Sequence, residues 1–150
     1  MNIYKMYYEL ENKTKITNDK IQVGILKNEI IEFLENRDIP IHTKEIYLTS
    51  KGLSHLSRNS KKARGAGLEL DDILRIPNIL ETPFKIIFDN RKAKLNLLYF
   101  DKKDIYHNRL IKVVIDTKGF YKKLGAITLI KTAGYIELAN LNDKYYIQII

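Results

Sequence analysis

The sequence predicts an α+β fold, with N-terminal helices packed on a four- to five-stranded antiparallel sheet. Two observations carry this expectation. In the first half, Ile25, Leu26, Ile30, Ile31, Phe33 and Leu34 recur at helical spacing. After Pro83, short runs rich in β-branched residues follow one another across brief polar connections, the pattern of an antiparallel sheet. The length, 150 residues, suits one domain.

Taken in order, residues 3–10 (IYKMYYEL) have strand-like composition and lead into a polar, turn-rich stretch, ENKTKITNDK. A helix is predicted over about 24–36, ended between Asn36 and Pro40 because proline cannot continue it. EIYLT (45–49) reads as a short strand. Ser50 is the predicted N-cap of a basic helix that Gly65 and Gly67 terminate. A second short helix is predicted over 69–75, where Glu69, Asp71 and Asp72 suit a helix start. Pro77 and Pro83 bracket a further turn with Ile79 and Leu80 in the core. Strands are then predicted over 84–89, 94–101, 109–116, 125–136 and 144–150, the first two joined as a hairpin through NRKA.

The net charge of +8 and pI near 9.5 create a field that attracts polyanions, with nucleic acid the leading partner class and an acidic protein the next. With no cysteine, disulfides and thiolate metal sites are excluded. The N-terminus lacks the hydrophobic stretch of a signal peptide, and no apolar run approaches the ~20 residues that span a bilayer. Three scattered histidines without HExxH spacing predict no metal site and no cofactor. The glycines at 65 and 67 fall short of both the dinucleotide fingerprint and the P-loop, and no serine sits in a nucleophile elbow.

The chemistry-bearing stretch is SKGLSHLSRNSKKARG (50–65), which has five basic residues, one histidine and no acid. On a helix, His55, Arg58, Asn59 and Lys62 fall at i, i+3, i+4 and i+7 and share one face, while Leu53 and Leu56 anchor the other. An imidazole beside two cations can handle phosphate chemistry without a metal. Lys51, Asn59, Lys61 and Arg64 are RNA-binding candidates, while Lys61, Lys62 and Arg64 alternatively form only a solvated face. His42 and His107 read as loop histidines, with His107 in reserve should His55 be buried.

The order of these features is informative. A strand ending in Thr49-Ser50 leads to a helix bearing Leu53, His55, Arg58 and Lys61-Lys62. The acidic LELDDILRIPNILETP follows, then paired strands and Lys131-Thr132-Ala133-Gly134. Over about residues 41–137 the chain resembles the phage-associated branch of the barnase–EndoU–colicin–RelE-like (BECR) nucleases. The resemblance implies helices on a four-stranded antiparallel sheet, with residues 41–150 as the nuclease domain; residues 1–40 lie outside it and read as a lead-in with one helix, part of the same unit. It also implies a metal-independent endoribonuclease, a toxin or phage effector cleaving tRNA or another structured RNA. Such a protein acts in the bacterial cytoplasm, reached on its own or as part of a larger secreted toxin, and an acidic immunity or antitoxin protein accompanies it.

Metal-free RNA cleavage needs a base for the ribose 2′-hydroxyl, an acid for the leaving 5′-oxygen and cations for the crowded phosphorane. The resemblance implies His55 as base or acid, Arg58 and Lys62 on the scissile phosphate, and Thr132 donating its hydroxyl from the sheet. Lys131 and Tyr135 are further candidates for proton transfer or RNA contact. Strand neighbours alternate faces, so Lys131 and Thr132 serve one site only if a bulge intervenes. The competing expectations are a basic module that binds nucleic acid without cleaving it, and a phage assembly factor with a degenerate nuclease fold.

Overall fold

The computed structural model describes residues 2–12, 19–56, 67–102, 107–121 and 125–150. The first element is a helix, α1 (Ile3–Glu11), where the composition predicts a strand. Spacing prevails over β-propensity here: Ile3 and Met6 fall three apart on one face and are both buried, while the Asn2 side chain caps the helix by accepting from Lys5 N at 2.8 Å. A strand absent from the sequence reading, β1 (Lys20–Ile25), follows, and α2 (Asn28–Glu35) is shorter than predicted because its first residues belong to β1.

Strand β2 (Glu45–Thr49) has the predicted bounds and turns directly into α3 (Ser50–Leu56). Thr49, not Ser50, caps this helix, its Oγ1 accepting from Gly52 N at 2.9 Å. The predicted continuation over 57–66 lies outside the described residues. Two short helices, α4 (Leu70–Leu74) and α5 (Ile76–Glu81), then bury Ile73, Ile76, Ile79 and Leu80. The bracketed turn is thus helical, with Pro77 in the first turn, where its missing N–H has no intrahelical partner to lose.

The remaining strands are β3 (Lys85–Asp89), β4 (Asn96–Asp101), β5 (Arg109–Tyr121), β6 (Gly125–Glu137) and β7 (Tyr146–Gln148). All seven strands form one sheet in the order β1-β2-β6-β5-β4-β3-β7. The α+β class is as expected, but the sheet is mixed and larger than four to five antiparallel strands. The β2–β6 pair is parallel, and β1 and β7 extend the two edges. The parallel joint is short, Ile46 with Thr128 and Tyr47 with Leu129. It is reinforced by Thr43 and Thr128, each of whose hydroxyls bonds the other's backbone.

Helices cover one face of the sheet. Ile3, Met6, Ile30, Leu34, Leu53 and Leu56 share a single core with Phe88, Tyr99, Val113 and Ile130. Residues 1–40 therefore contribute their described elements to the main core. The outer face carries a smaller cluster, in which Leu98, Phe100, Leu110 and Val114 are covered by Tyr146 and by a 3-10 turn, Leu138–Leu141. Among the described residues, no helix is long and apolar enough to cross a membrane.

Candidate functional site

The site grows out of the point where β2 leaves the sheet. Beyond Leu129 no described strand pairs with β6 on the β2 side, and the first turn of α3 takes that place. A Cβ on Gly52 would meet the Ile130 carbonyl oxygen at 3.7 Å, so α3 crosses close over β6. At the same place β6 bulges. Ile115 pairs with Ile130 and Val114 with Thr132, leaving Lys131 without a partner on β5.

A cleft of about 490 Å³ opens between α3, the bulge and the far end of β5. Thr49, Ser50, Lys51, Ser54, His55 and Lys131 supply its polar lining. Lys51 and Lys131 are exposed, His55 is half-buried, and among the described residues no acid lines the cleft. Two cations and an imidazole in a concave, acid-free surface suit an anionic group such as a phosphodiester. Phe120, 71% exposed, and Tyr121 stand at the rim. The sequence reading passed over this pair, although the run Phe-Tyr-Lys-Lys at 120–123 carries the interleaving of aromatics and lysines that offers a base a stacking platform.

The other predicted residues are distributed differently. Arg58, Asn59, Lys61, Lys62 and Arg64 lie outside the described residues. Thr132 is on the sheet but not on the helix-covered face where it was expected. Its partner Val114 belongs to the outer cluster, whereas Ala133 and its partner Val113 point into the main core. The bulge the sequence required is present, yet it does not bring both residues to His55: Lys131 lines the His55 cleft and also a second, outer basin, whereas Thr132 lines only the outer basin.

Tyr135 does not line the cleft. Its hydroxyl donates to Asp72 Oδ2 at 2.7 Å, and the Arg109 guanidinium lies 4.3 Å from its ring centre. Asp72 is only 1% exposed and also accepts from Glu69 N at 3.4 Å, so it ties α4 to β6 beyond the helix-start role read from sequence. His42 sits in a loop, as expected, with Nδ1 3.0 Å from the Gly119 carbonyl oxygen. His107 is exposed in a turn.

In the outer basin, Asp89 accepts from Arg91 Nε at 2.9 and 3.1 Å and from Nη2. Burial pushes the Asp89 carboxyl up, but the hydrogen bonds from Arg91 outweigh it and hold the group below the usual range. Burial, with Arg91 and Lys94 nearby, pushes the Lys112 ammonium down despite the opposing pull of Asp89. Among the described residues, no three histidine, aspartate or glutamate side chains are grouped so as to hold a metal ion. In comparisons with known proteins, no family model, no curated protein and no solved structure matches the chain.

Proposed function

We propose that the chain binds RNA in the His55 cleft and cleaves it without a metal, with His55 and Lys131 as the proton-transfer pair. The observation that carries this reading is the presence of His55, Lys51 and Lys131 in one acid-free cleft beside the exposed Phe120. Neutral His55 takes the 2′-hydroxyl proton as the 2′-oxygen attacks phosphorus. The P–O5′ bond breaks, and the Lys131 ammonium protonates the departing oxygen, leaving a 2′,3′-cyclic phosphate and a 5′-hydroxyl. Lys51 neutralises the non-bridging oxygens, with Arg58 and Lys62 as further cations of the same segment. A base adjoining the scissile phosphate stacks on Phe120. Thr132, on the other face, takes no part in this reaction.

A role as a toxin or phage effector in the bacterial cytoplasm, with an acidic immunity or antitoxin protein as counterpart, belongs to the same proposal. The resemblance to BECR nucleases supports it, as does the charge of +8, which suits both RNA and an acidic inhibitor. A second reading has its own support: His55 and Thr132 sit on opposite faces, so the residue set implied by the resemblance is split, as in a module that binds nucleic acid without cleaving it.

Incubation with total RNA in EDTA separates the two. Cleavage with cyclic-phosphate ends, lowered about 100-fold or more in His55→Ala and Lys131→Ala, supports the enzyme. Binding without cleavage in the wild type supports the module and rejects the reaction.

A further inference from the structure

The outer basin holds a feature that RNA cleavage in the His55 cleft leaves unexplained. Arg91, Lys94, Lys112 and Lys131 converge there on a cup of about 150 Å³, with Thr132 and Asn96 also lining it. Among the described residues Asp89 is the one acid in the lining, and Arg91 engages it with both side chain and backbone N–H. Three lysines therefore remain uncompensated in the lining. At the base Asn96, only 4% exposed, presents an Oδ1 with no hydrogen-bond partner among the described residues. Buried polar atoms are ordinarily paired, so an unpartnered amide oxygen on a residue that lines a basic cup suits a donor carried by a bound ligand.

The geometry points to a second binding site, adjoining the His55 cleft at the shared Lys131 but built on Lys94, Asn96 and Lys112, for a protonated tetrahedral oxyanion: hydrogen phosphate, or the terminal phosphate of a nucleic-acid strand. Such a group supplies both halves of what the cup lacks. Its charged oxygens meet Lys94, Lys112 and Lys131 and the Thr132 hydroxyl, while its P–OH donates to Asn96 Oδ1. The size agrees: at about 150 Å³ the cup has room for a phosphate group. Sulfate, of like shape but fully deprotonated at neutral pH, has no donor to offer Asn96. Burial penalises the Lys112 ammonium, and an anion beside it offsets that penalty.

The test is calorimetric titration of the full chain at low salt with inorganic phosphate, with sulfate, and with a dinucleotide with and without a 5′-phosphate. Saturable phosphate binding is expected, about tenfold or more tighter than sulfate, and weakened at least about tenfold by Lys112→Met and by the isosteric Asn96→Asp. Lys94→Ala, at an exposed position, lowers affinity without endangering the fold. Lys27→Ala, an equal loss of charge elsewhere on the surface, leaves it unchanged. Binding of the 5′-phosphorylated dinucleotide but not its 5′-hydroxyl parent assigns the site to strand ends; binding of free phosphate alone assigns it to the ion. The proposal is overturned if no saturable binding occurs, if sulfate binds as well as phosphate, or if Lys27→Ala and Lys112→Met lose affinity equally. It is also overturned if His55→Ala abolishes binding and Lys112→Met does not. None of these outcomes depends on whether the chain cleaves RNA.

Discussion

His55 and Thr132 lie on opposite faces of the seven-stranded sheet, whereas the bulge at Lys131 brings that lysine into the same cleft as His55. Residues that act on one bound phosphate couple energetically, and residues separated by a sheet do not. In RNA cleavage by the double variants, His55→Ala and Lys131→Ala are expected to be non-additive, the pair losing scarcely more than either alone. His55→Ala and Thr132→Ala combine additively, within about 0.5 kcal/mol. Rate measurements on the three single and two double variants decide this, and strong coupling between 55 and 132 contradicts the placement of the site.

Gly119 is where β5 bulges against β6, because Asp116 pairs with Leu129 and Gly119 with Ile127. A Cβ there would stand 2.7 Å from the Leu129 side chain and 2.8 Å from the Ile127 carbonyl oxygen. The second contact is backbone and cannot swing aside. Gly119→Ala is expected to cost about 1–3 kcal/mol, read from the urea midpoint at unchanged slope. His42 loses register with it, since its ring bonds the Gly119 carbonyl.

Tyr135→Phe removes a hydroxyl that donates to the buried carboxylate of Asp72. Loss of one donor to a buried acceptor costs about 1–3 kcal/mol. Chemical denaturation should show that loss, and RNA cleavage by the folded variant should not change. A fall in cleavage at full stability would return Tyr135 to the site.

The Asp89 carboxyl, held below its usual range by Arg91, makes a pH-dependent contribution to stability. A depressed carboxyl stabilises the fold above the unfolded value, ~3.9, and loses that contribution as pH falls through the folded value. Asp89→Asn is therefore expected to lower stability at neutral pH and to flatten its decline in acid. Lys112 has the opposite sign: its lowered value means that the charged form is penalised in the folded chain until pH rises past it. Lys112→Met should raise the melting temperature at neutral pH while weakening phosphate binding.

Legibility in the sequence followed the range of the forces involved. The strands from residue 84 onward were readable because β-branched runs and the short connections between them are local features, and β2 was readable to the residue. Helix α1 was misread because Tyr and Ile suggest a strand, while the three-residue spacing of Ile3 and Met6 decides burial. β1 went unseen because Gly24 and Ile25, at its end, fall within the helical spacing read over 24–36, which left only four residues before it. The parallel β2–β6 joint has no local signature at all, since residues 46 and 128 meet only through tertiary structure. The candidate site divides in the same way. His55 and Lys51 were visible as a basic segment, but the fate of Lys131 and Thr132 depended on one unpaired residue in β6.

The most direct test of the cleft uses the chain's small histidine count, since His42, His55 and His107 give three resolvable imidazole signals. An RNA oligonucleotide made uncleavable by 2′-deoxy substitution is added while these resonances are followed by NMR. The account predicts that the His55 signal shifts saturably with added strand, and that those of His42 and His107 stay in place. Saturable binding that leaves His55 unmoved would contradict it.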